Sequence, residues 1–91
     1  MSTTPLALGT RVCVRRDPEY GPGPWPDEPI GSIVASPLDG MSFRWVDTVR
    51  GPEIQYWVLF DQPQMDADGD GPYTSGEVLA KYVEPLANPN A

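Results

Sequence analysis

Ninety-one residues and 10.0 kDa hold a single small core, because a chain this short buries only about 60–65% of its extended surface and cannot support two. Thirteen acids against six bases give a formal charge of −7, which disfavours nucleic acid as a ligand, since every phosphate contact needs a nearby cation. Twelve prolines and nine glycines exclude an ordinary helical bundle, and 40% apolar residues exclude a wholly disordered acidic chain.

Cys13 is the one thiol and histidine is absent, so no intrachain disulfide and no Cys/His zinc or iron–sulfur centre can form. Metal chemistry falls to carboxylate oxygens. The start, MSTTPLALGTRV, lacks the basic head and apolar run of a secretory signal, and no stretch approaches the ~18 apolar residues of a membrane span. A cytoplasmic protein without membrane insertion is expected.

In chain order, residues 1–8 and 87–91 read as flexible tails around one domain over 9–86. Thr10 to Arg15 alternates, placing Val12 and Val14 on a core face. Arg16 to Pro29 carries Pro22, Pro24, Pro26 and Pro29, whose missing N–H groups forbid a regular ladder. A long ordered loop follows, in which Tyr20 and Trp25 either pin the loop to the core or face a partner. Ile30 to Ser36 is a second strand, and Asp39–Gly40 in the following turn is a hairpin signal. Phe43 to Val49 is a third strand with Phe43 and Trp45 on one face, read as core. After a turn at Arg50 to Glu53, Ile54 to Phe60 gives the strongest strand pattern. Its inward face is Ile54, Tyr56, Val58 and Phe60; Trp57 and Leu59 point outward and need cover from a loop, a helix or a partner. Glu77 to Tyr82 suits a short helix of about two turns, and Tyr82 to Glu84 a closing strand.

The segments GTRVCVRRD, GSIV, YWVLFD and KYVEPL resemble the SH3-like small-barrel superfamily, including barrels of the photosystem I accessory-subunit type. The resemblance implies a mainly β fold, a small SH3-like barrel of about five strands with long ordered loops and a short C-terminal helical turn, over about residues 9–86. It also implies a docking, assembly or accessory role, with contacts made by the connecting loops. The acidic charge departs from the nucleic-acid-binding relatives and from basic docking surfaces, so no particular partner carries over.

A second, local pattern is chemical. Asp66 to Glu77 reads DADGDGPYTSGE, similar to the EF-hand calcium loop. The resemblance implies ligands from Asp66, Asp68 and Asp70, the Pro72 carbonyl, a water held by Thr74, and the Glu77 carboxylate, matching the six to eight hard oxygens that calcium prefers. Pro63 and the strand-like IQYWVLF stand where an EF-hand has its entering helix, and an Asp/Gly turn that bonds its own amides is the competing reading. The acids have no matched nucleophile or basic cluster beside them, so no independent catalytic activity is expected.

The charge is uneven, with eight acids and two bases in residues 46–91, a distribution that orients docking. The main expectation is therefore a non-enzymatic interaction or assembly module that binds another protein or enzyme subunit through Arg16, Tyr20, Trp25, Arg44 and Trp57. The alternatives are a calcium-binding or calcium-stabilised accessory protein using residues 66–77, and a small noncatalytic enzyme subunit.

Overall fold

One long strand organises the domain. In the computed structural model, which describes residues 5–16 and 25–86, β4 spans Gly51–Gln64 and buries Ile54, Tyr56, Val58 and Phe60 between more exposed neighbours. Alternation of period two turns every second side chain to one face, and the inward set read from the sequence is the set that fills the core. Around β4 lie β1 (Arg11–Val14), β2 (Ile30–Val34), β3 (Phe43–Thr48), β5 (Tyr73–Leu79), a 3-10 turn (Ala80–Tyr82) and β6 (Val83–Pro85). All the ladders are antiparallel, and the whole folds into a small globular body of 35 × 33 × 28 Å.

β4 holds three strands on its two edges. One edge takes β5, with Val78 opposite Tyr56 and Ser75 opposite Leu59. The other takes β3 and β2 in line: Phe43 pairs with Tyr56, and Val34 with the next residue, Trp57. β2 and β3 are thus two halves of one interrupted strand, and residues 35–42 leave the sheet and return to it. The excursion closes on itself, Ser36 N donating to Met41 O at 2.9 Å and Gly40 N to Ser36 O at 2.8 Å. Gly40 sits at φ +72°, a region that glycine enters without a Cβ clash. The Asp39–Gly40 turn exists, but it does not fold β2 against β3 as a hairpin signal implies.

β1 pairs with β2, and β6 with β1. There the sheet stops: among the described residues no ladder joins β6 to β3 or β5, so six strands form an open sheet. This overturns the SH3-like barrel of about five strands, photosystem I accessory-subunit type included. Closure requires tilt and stagger that return the last edge to the first. Here the last strand is three residues long and ends at Pro85, which has no N–H to give to a ladder. Leu6, Ala80, Tyr82 and Val83 pack against the core in place of a closing strand.

Two local expectations also change. The helix expected over Glu77 to Tyr82 is strand as far as Leu79, and only Ala80–Tyr82 is helical. The long free edge of β4 supplies backbone partners that outweigh the weak helix propensity of so short a segment. The turn expected at Arg50 to Glu53 is a two-residue connection, Val49–Arg50, between the paired residues Thr48 and Gly51.

Candidate metal site

The acidic turn is the connection between β4 and β5. Gln64 pairs with Tyr73 at its base, and below that the register is irregular, Phe60 to Pro63 of β4 facing Thr74 alone. Pro63 therefore sits where no ladder N–H is required. Above the base the backbone curls tightly: Asp66 N donates to Asp70 O at 2.9 Å, and Gly69 N to Asp66 O at 3.0 Å. Asp66 Oδ1 accepts the backbone N–H groups of Asp68 and Asp70, each at 2.9 Å, an Asx-type arrangement that offsets the cost of ordering the turn. One carboxylate thus fixes the geometry that holds the other two.

The result is a group of three carboxylates, Asp66, Asp68 and Asp70, whose candidate ligand atoms lie within 4.8 Å of one another. Asp66 is half-buried, and Asp68 and Asp70 are exposed. Like charges this close repel, and a divalent cation between them reverses the sign of that interaction. Hard oxygens at variable spacing suit calcium, which accepts water for its remaining ligands. The residues present are able to coordinate calcium.

The rest of the twelve-residue pattern is placed differently. Strands β4 and β5 flank the turn where an EF-hand has helices, which overturns the EF-hand identity. Pro72 lies at the end of the turn and Thr74 is exposed on β5. Glu77 stands in mid-strand opposite Trp57, and its Oε1 accepts a hydrogen bond from Arg44 Nη2 at 3.2 Å.

The residues expected to make an interaction surface divide. Tyr20 lies outside the described residues. Arg16 is exposed, and its backbone N–H donates to Glu28 Oε2 at 3.0 Å. Trp25 is 7% exposed, its ring edge-on to Phe60 at 4.7 Å and to Tyr73 at 5.8 Å. The ring lies against the core and leaves little of its area exposed, as expected from the large apolar surface an indole removes from water. Arg44 and Trp57 do come together. Register places Arg44, Gln55, Trp57 and Glu77 on the outer face, where Arg44 Nε donates to Gln55 Oε1 at 3.2 Å. Trp57 is half-buried there, whereas Leu59 stays 47% exposed.

Three strands are tied together near the acidic-turn end of β4. Arg11 Nη1 donates to Asp61 Oδ1 at 2.8 Å and to Ser32 Oγ at 2.9 Å, and the second guanidinium nitrogen reaches Asp61 Oδ2. This two-point hydrogen bond, helped by the opposite charge, lowers the Asp61 carboxyl below its usual range and raises Arg11. Both groups are solvent-exposed, so the pair aligns β1 with β4 more than it stabilises the fold.

Sequence reasoning did not find the groove beside Trp45, Pro52 and Val83. Its only signal was that Trp45 and Phe43 share a face of β3, and that pattern cannot say where a sheet ends. Among the described residues no helix is long and apolar enough to cross a membrane. No family model, curated protein or solved structure matches the chain.

Proposed function

We propose that the protein is a calcium-binding accessory domain whose cation site is the turn between β4 and β5. The observation that carries this reading is the convergence of the Asp66, Asp68 and Asp70 carboxylates within 4.8 Å, held by two backbone hydrogen bonds to Asp66. Three side-chain ligands with water completing the shell place the affinity on the order of 10⁻⁴ to 10⁻³ M, the weak end of protein calcium sites. Binding to the folded turn alone stabilises the domain by linkage, by about 2.7 kcal/mol at a hundredfold excess over Kd.

Calcium titration followed by amide NMR and thermal melting tests this. The expected outcome is shifts centred on residues 65–72, a rise in Tm, a weaker response to magnesium, and loss of both effects in Asp68→Asn combined with Asp70→Asn. Glu77→Gln refines the ligand set: unchanged affinity leaves a three-carboxylate turn, and a large loss means that Glu77 leaves Arg44 to close the shell. Equal, salt-screened responses from wild type and the double variant would mean diffuse attraction to a negative surface, and would end the calcium reading.

A further inference from the structure

The seam left by the open sheet is a mainly apolar groove of about 470 Å³, lined by residues that include Trp45, Pro52 and Ile54 of β3 and β4, Leu6, Ala80 and Val83, and one charged residue, Glu53, whose Oε2 accepts a hydrogen bond from Thr48 Oγ1 at 2.6 Å. Trp45 is 60% exposed, although it pairs with Ile54 on the inward face. Asp47, two residues on, shares that face opposite Pro52 and makes no ion pair among the described residues. No lysine or arginine lines the groove. Along all six residues of β3 the outer edge has no ladder partner among the described residues.

We propose that this groove binds an extended, lysine- or arginine-bearing segment of a partner protein, laid along the outer edge of β3. One apolar side chain enters the groove, and a cation sits over Trp45 beside Asp47. A bare strand edge recognises extended backbone through its N–H and C=O groups, and alternate side chains of the added strand reach the face below. An exposed indole next to a carboxylate attracts a cation by its ring quadrupole and by charge together. Charge selects the occupant. Two copies of a chain at −7 repel one another as their edges approach, and the same field draws a basic segment in. This site is separate from the acidic turn and does not depend on calcium.

The probe is a blocked peptide of about seven residues alternating valine and lysine, long enough to run beside β3. Peptides in which glutamate or threonine replaces lysine serve as controls. Titrated into the full chain under amide NMR, with calcium and with chelator, the lysine peptide is expected to shift the β3 amides and the Trp45 indole equally in both conditions. The glutamate peptide is expected to do neither, and the threonine peptide to bind more weakly than the lysine peptide. Trp45→Ala should weaken binding about tenfold or more, and Asp47→Asn by a smaller factor that added salt erases. Both side chains are exposed, and unchanged core amides confirm that the variants fold. Equal binding of the glutamate or threonine peptide, shifts centred on residues 66–70, or undiminished affinity in Trp45→Ala overturns the proposal. Concentration-dependent dimerisation that Trp45→Ala abolishes also overturns it, by putting a second copy in the groove.

Discussion

Trp25 lies outside any strand, in the connection between β1 and β2, and is 7% exposed; Trp45 lies inside β3, on its inward face, and is 60% exposed. Local pattern ranks these two residues the wrong way round. A tryptophan among prolines looks like a surface feature, and one in an alternating strand looks like core. What decides is where the sheet continues. Trp25 falls on the flank where β5 has paired with β4, and packs over Gly76, Phe60 and Tyr73. Trp45 falls on the flank where no strand follows β3, so its inward face has only a groove to look into.

Substitution at the two positions puts the contrast to its largest test. Trp25→Ala is expected to cost about 3–5 kcal/mol, the range for emptying a large aromatic from a core, which is a large share of the ~5–15 kcal/mol that holds a small domain folded. Trp45→Ala should change stability by no more than about 0.5 kcal/mol. Denaturant titration of both variants checks the pair, and equal losses would show that the seam is packed after all. Trp25→Phe sharpens the result. The indole Nε1 is buried with no hydrogen-bond partner among the described residues, and deleting an unsatisfied donor returns about 1–3 kcal/mol against the packing lost, so Phe should fall much less far than Ala.

A smaller effect is expected at Gly76. A Cβ built there runs into Cζ2 of Trp25, with Cε2 3.1 Å away, so the ring must move for any side chain to fit. Gly76→Ala should cost about 1–3 kcal/mol by overpacking and change the Trp25 fluorescence. An unshifted emission at unchanged stability would place the ring elsewhere. The smallest effect concerns Arg11 and Asp61. Because the folded Asp61 carboxyl titrates below its usual range, its contribution is complete at neutral pH and is lost only as pH falls through that lowered value. The raised Arg11 adds no further change below strongly alkaline pH. Wild type and Asp61→Asn should therefore differ slightly at neutral pH and converge in acid, and salt should narrow the gap. Melting curves across pH read this directly, and a gap that widened in acid would contradict the sign.

Much of the architecture was legible wherever burial on one face imposes alternation. Val12, Val14 and the Ile54 to Phe60 set are core as their spacing says, and the tight acidic turn is written in the Asp/Gly sequence itself. β5 was not legible. Tyr-Thr-Ser-Gly-Glu has few apolar residues, and its buried positions are Gly76 and Val78; a glycine that is buried because an indole lies on it leaves no hydrophobic signal. The failure to close was equally hidden, since pairing between sheet ends depends on accumulated twist, to which no single residue testifies. The same holds for Glu77: its spacing from Asp66 suits a cation loop, but strand pairing carries it to Arg44.

The in-line arrangement of β2 and β3 has an engineering consequence. Both halves are already registered on β4, from Gly31 opposite Phe60 to Thr48 opposite Gly51, so neither depends on the length of residues 35–42 for its alignment. The exposed tip at Pro37 to Gly40 is therefore a natural insertion port. A peptide epitope or a small domain with adjacent termini can be spliced in there, and because closure entropy grows only with the logarithm of loop length, each doubling adds about 0.6 kcal/mol. A foreign segment displayed at that tip is separated from the acidic turn by the run of β4 between Trp57 and Gln64.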